Sequence, residues 1–120
     1  MSGLSNREKN KVKKAVITEL EKYRYLKWLQ EPTQEHKEFF QTIDNAVEGL
    51  PEKESFLIRK RYLSNESEYI TDSQMYNEIF DPPVSERTYS SKIRDRAMLK
   101  LALSLWGGNF IDDIISKTNQ

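Results

Sequence analysis

Cysteine is absent, and histidine occurs once, at His36. Without thiolates there is no disulfide framework and no thiolate metal centre, and a single imidazole leaves no His-based zinc site. Glycine and proline are scarce, at four residues each. The glycines follow neither the spacing of a phosphate-cradling loop nor that of a nucleophile elbow. Apolar runs reach only a few residues, too short for a membrane span, and the basic start is not followed by the apolar stretch of a secretory signal. The expectation is a soluble, intracellular chain without membrane contact, cofactor, metal or enzymatic activity. Net charge is missing too, since 19 basic residues balance 19 acidic ones.

That balance hides strong patterning. Residues 1–30 hold eight lysines and arginines against three acids, residues 31–49 hold one against five, and residues 85–106 hold five against two. Ordinary solvated helix faces produce such blocks, but a local basic face also steers toward nucleic acid when the whole molecule is neutral. At 120 residues the chain suits one modest domain.

Helical periodicity runs through nearly all of it. From about Asn6 to Gln30, residues Val12, Val16, Leu20, Tyr23 and Trp28 recur at three-to-five-residue steps between basic residues, which predicts a long amphipathic helix ended by Pro32. Thr33 is placed to cap a second helix reaching about Val47, with Phe39, Phe40, Ile43 and Val47 inward and Gly49 as its stop. Pro51 at a first helical position, with Glu52 and Glu54 at the positive dipole end, starts a third helix to about Tyr62. Ser64 to Ile70 reads as a polar surface loop. Thr71 or Asp72 then caps a short fourth helix holding Met75, Tyr76 and Ile79, and Asp81-Pro82-Pro83 breaks it. Ser85 caps a fifth helix that stops at Gly107-Gly108, and the tail carries Phe110, Ile111, Ile114 and Ile115, enough for one short helix. Asp112-Asp113 reads as capping charge rather than a metal ligand, His36 as a solvent-facing side chain, and Trp28 and Trp106 as core or interface aromatics.

A short capped helix, a forced turn and a second capped helix make a helix-turn-helix. Tyr89, Ile93, Ala97, Leu101 and Leu105, four apart, turn one face of the last helix inward and leave Arg87, Ser90, Ser91 and Arg94 together outside. In such a unit Glu86, Arg87, Ser90, Ser91 and Arg94 on the first two turns meet base edges, Lys92 and Arg96 flank them toward phosphates, and Thr71, Ser73 and Gln74 add phosphate contacts. Tyr89 belongs to the core. A plain helical bundle with a basic last helix explains the periodicity equally well.

The residues Leu50-Pro51-Glu52-Lys53-Glu54, Arg61-Tyr62, Ser85-Glu86-Arg87-Thr88-Tyr89, Arg96-Ala97 and Lys100-Leu101-Ala102 resemble the ArpU family of phage transcriptional regulators, small proteins similar to region 4 of bacterial sigma factors. The similarity covers the C-terminal half, and over residues 1–49 amounts only to a basic helix followed by an acidic one. It implies an all-α bundle with residues 1–49 as an N-terminal helical region, 50–106 as a sigma-4-like helix-turn-helix and 107–120 as a tail. It further implies a regulator from phages or prophages of Gram-positive bacteria, located in the host cytoplasm at the nucleoid, that binds double-stranded DNA and activates late genes. One recognition helix covers little DNA, so a second contact is expected, through a homodimer or through RNA polymerase. The rival reading is a small-terminase-like packaging subunit or helical adaptor acting through oligomerisation, and a third is an inhibitor that binds polymerase alone. The turn at Phe80-Asp81-Pro82-Pro83 is longer than the Gly-containing turn of similar proteins, so a fixed but altered angle between the last two reading helices is expected.

Overall fold

Among the described residues the chain forms five helices, four of them opened by side-chain caps, and no strand occurs. The computed structural model describes residues 5–29 and 31–118, with side chains through residue 108. Helix α1 spans Asn6–Lys27, opened by a reciprocal capping box in which the Ser5 hydroxyl accepts from the Glu8 amide and the Glu8 carboxylate accepts from the Ser5 amide. It ends at Lys27, short of the expected Gln30. Leu26, three residues after Tyr23, continues the buried stripe, so Trp28 falls off it and is 72% exposed instead of lying in the core.

Helix α2, Gln34–Glu48, begins with a capping box of its own. Thr33 accepts from the His36 amide, and His36 Nδ1 accepts from the Thr33 amide at 3.3 Å. The single histidine thus closes a helix end rather than pointing idly into solvent. Phe40, Ile43 and Val47 are buried while Phe39 is only partly covered. The basic side of α1 reaches over these rings, with Lys27 Nζ 4.5 Å from the Phe40 centroid and Lys22 Nζ 4.8 Å from that of Phe39.

Helix α3, Glu52–Ile58, starts one residue after Pro51 and widens into a π-helical stretch, Arg59–Leu63. The segment from Ser64 to Ile70 is not simply a solvated loop. Ser64 and Ser67 both donate to the Lys60 carbonyl, at 3.0 and 3.2 Å, and Ser67 and Ile70 are buried. Two hydroxyls therefore satisfy an acceptor at the end of the helix.

Helix α4, Asp72–Gln74, continues as a second π-helical stretch, Met75–Ile79. The chain then turns through a cis Asp81-Pro82 bond, and the Val84 amide reaches back to the Tyr76 carbonyl at 3.0 Å. Ser85 caps α5 by accepting from the Thr88 amide. Helix α5 has a third π-helical stretch, Thr88–Arg94, and runs on as Asp95–Thr118. Gly107, at φ 76°, interrupts it where the stop was expected, a conformation that only glycine adopts without strain. The backbone beyond that break is helical, whereas the expected packing of Phe110, Ile111, Ile114 and Ile115, and the role of Asp112-Asp113, lie outside the described side chains.

Tyr89, Ile93, Ala97 and Leu101 are buried as the spacing requires, while Leu105 and Trp106 are only partly covered. The largest fully buried side chains include Tyr89, Leu20, Ile43 and Leu57, so α1, α2, α3 and α5 share one core. Helix α1 lies against α5 and the end of α3, and α5 in turn against α2 and α3. Met75 and Phe80 carry α4 onto the same core.

Candidate nucleic-acid interface

Two segments hold the start of α5 in place. Phe80 packs edge-on against Phe56 of α3 and Tyr89 of α5, at 5.3 and 6.2 Å between centroids, and Tyr76 meets Tyr89 at 5.5 Å. The Tyr89 hydroxyl donates to Asp72 Oδ1 at 2.6 Å. These contacts fix the angle between α4 and α5 that the proline-containing turn left open.

Asp72 is the polar centre of that junction. Its Oδ1 also accepts from Arg61 Nε at 3.2 Å, and its Oδ2 accepts from an Arg94 terminal nitrogen at 3.2 Å. Arg94 Nε reaches Asp95 at 3.4 Å, and Lys13 Nζ reaches the same Asp95 oxygen at 3.3 Å. A chain of alternating charge thereby runs from α3 through α4 and α5 to α1. Burial drives the Tyr89 hydroxyl well above its ordinary pKa, and the bond to Asp72 adds to the effect, so it stays a neutral donor. Burial alone disfavours the Arg94 cation, yet Asp72 and then Asp95 more than offset that and raise its pKa.

Arg94 therefore does not join the outer face on which the spacing put it. Its side chain is 19% exposed, and its guanidinium lies 5.8 Å from the centre of the Tyr89 ring, five residues back. The cause is local. In a π-helical stretch the backbone bonds link residues five apart and the turn widens, which brings the fifth residue on nearer to the first than in an α-helix, and Arg94 lies toward Tyr89 and Asp72. The four-residue stripe of Tyr89, Ile93 and Ala97 survives the stretch, but the grouping of Arg94 with Arg87 on the outer face does not.

The other expected residues divide. Glu86, Arg87, Ser91, Lys92 and Arg96 are exposed. Ser90 is half-buried and its hydroxyl donates to the Glu86 carbonyl at 3.0 Å, so it turns back on its own helix. Thr71 and Gln74 cap one another, Thr71 Oγ1 accepting from the Gln74 amide and Gln74 Oε1 from the Thr71 amide. These bonds occupy the two side-chain oxygens at the helix end, beside the negative Asp72 carboxylate, while both residues stay exposed. Ser73 is exposed and accepts from Asn77 at 3.2 Å.

What spacing missed is the set that supports this face, namely Asp72, Arg61 and Lys13. Arg61 was visible only as part of the Arg61-Tyr62 pair. The reach from Lys13 to Asp95 spans most of the chain and has no local signature. Among the described residues no group of acidic and imidazole side chains could hold a metal ion, and no helix is long and apolar enough to cross a membrane. No family model, curated protein or solved structure matches the chain.

Proposed function

We propose that this protein is a DNA-binding transcription regulator, with the start of α5 as its recognition helix and the ArpU and sigma-region-4 resemblance as its lineage. The observation that carries this reading is the exposed set Arg87, Ser91, Lys92 and Arg96 on one helix docked through Tyr89. No carboxylate partner is found for Arg87, Lys92 or Arg96 among the described residues. An unpaired arginine on the first turn of a groove-entering helix suits the two acceptors of a guanine edge, an interaction of ~1–3 kcal/mol in base discrimination. The basic flank serves phosphates. A late-gene activator of phage or prophage origin, completed by a second copy or by RNA polymerase, is the specific form the resemblance favours.

Gel-shift titrations of the wild-type protein and an Arg87→Ala variant test the reading, with duplexes selected from a random pool and a salt series for each. Affinity that falls with rising salt, and discrimination among duplexes that is lost with Arg87, support it. Affinity indifferent to salt contradicts direct DNA contact.

One observation favours a second reading. Tyr25, Trp28 and Leu29 are exposed at the end of α1, by 69%, 72% and 39%. Aromatic side chains on one helix end suit a protein partner, as in an assembly subunit or polymerase-bound adaptor. A ring-sized mass in solution, with DNA binding that requires that mass, favours this alternative.

A further inference from the structure

A groove of about 520 Å³ runs between α1 and α5, with Lys9 and Lys13 on one wall and Ser91, Asp95 and Arg96 on the other. Its apolar floor includes Val12 and Met98. Among the described residues the only acid in its lining, Asp95, is already neutralised, because it accepts from both Lys13 and Arg94. Lys9 and Arg96 are exposed and have no carboxylate partner among the described residues. The groove therefore carries two uncompensated cations over a low-dielectric floor, which concentrates positive potential there. Ser91 adds a hydroxyl donor.

Position gives this charge its meaning. Ser91 and Arg96 belong at once to the groove and to the exposed face of α5, so the groove opens beside Arg87's helix face rather than elsewhere on the molecule. The basic surplus of α1 divides accordingly. Lys22 and Lys27 cover aromatic rings of α2, whereas Lys9 remains free at the groove.

We propose that the α1–α5 groove seats the phosphate backbone of the DNA, with Lys9 and Arg96 each neutralising one phosphate and the Ser91 hydroxyl donating to a phosphate oxygen. This rests on the reading of α5 as the DNA-facing helix and makes α1 an auxiliary clamp beside it. Backbone contacts of this kind fix the register of a recognition helix without carrying sequence information.

The test compares the wild type, Lys9→Gln with Arg96→Gln, and a control pair Lys37→Gln with Lys53→Gln, which removes the same charge from exposed sites outside the groove. Binding to a mixed-sequence 30-base-pair duplex is measured between 50 and 200 mM KCl, and thermal melting confirms that each variant folds. The groove pair should weaken binding about tenfold or more and flatten the log-log salt slope by about two, while Lys9→Arg retains the wild-type slope. The control pair should change the slope by less than half as much. Equal slopes for the groove and control pairs overturn the subsite and leave the recognition helix standing. A groove-pair effect combined with unchanged discrimination in Arg87→Ala supports the subsite and overturns base reading by α5. Salt-independent binding, or none, overturns both.

Discussion

Arg87 and Arg94 sit two positions before and two positions after the Tyr89–Lys92 turn in sequence, and the helix gives them opposite work. Arg87 is exposed, whereas Arg94 is tied to Asp72, Asp95 and the face of Tyr89. Arg94→Ala leaves a partly buried carboxylate short of a partner, and a loss of about 1–3 kcal/mol is expected, lowered from the buried-pair range because Asp72 is partly solvated. Urea unfolding measures it, and Arg87→Ala in the same assay should change stability by less than about 0.5 kcal/mol. Tyr62 gives a second residue-scale prediction. Burial first, then the nearby Asp72, pushes its hydroxyl up to about 12. A proton held more tightly in the folded state stabilises fully below the unfolded value near 10 and is lost as pH rises from there through the folded value. Denaturation between pH 9 and 12 should therefore show falling stability, and Tyr62→Phe should flatten the fall by up to about 1.4 kcal/mol per pH unit.

Helix starts carry the next set of consequences. Ser85 closes the N-terminus of α5 by accepting from the Thr88 amide and donating to the Thr88 hydroxyl. Ser85→Ala should cost about 1 kcal/mol and loosen the first turn, the one that holds Arg87, with hydrogen exchange at the Thr88 and Tyr89 amides as the readout. Caps of this kind were legible in the chain. Thr33, Thr71 and Ser85 stand before apolar periodicity and cap as the spacing requires, whereas the cap at Ser5, in the polar leader, emerges only in the structure. The π-helical stretches were not legible, since a change from four-residue to five-residue backbone bonding is decided by packing and leaves the side-chain alphabet unchanged. Tyr89 and Ile93, four apart inside the stretch and anchored in the core, still fell where spacing put them, whereas Arg94, drawn to Asp72 and Asp95, did not. The Phe80–Pro83 turn shows the same division. Its break in the helix follows from two prolines, but the angle it sets depends on Phe80 meeting Phe56 and Tyr89, contacts between separate helices. Phe80→Ala, which empties a site buried to 6% exposure, should cost about 3–5 kcal/mol and weaken DNA binding through misalignment of α5.

Across the whole molecule, neutrality is resolved into internal and external charge. Part of the basic surplus of α1 faces the rings of α2, the Tyr23 hydroxyl donates to Asp44 at 2.7 Å, and Lys13 and Arg94 share Asp95. Of the cations without a carboxylate partner among the described residues, Arg87, Lys92 and Arg96 lie on the outer face of α5 and Lys9 at the α1–α5 groove, so a chain with no net charge presents a basic surface there. The proposed function has this surface read DNA through Arg87. Its most direct test is a gel-shift comparison of wild type and Arg87→Ala on a duplex selected from a random pool and on that duplex with one guanine replaced. The wild type should prefer the selected duplex by about 1–3 kcal/mol, and Arg87→Ala should bind both alike. A preference of the same size in both proteins would contradict it.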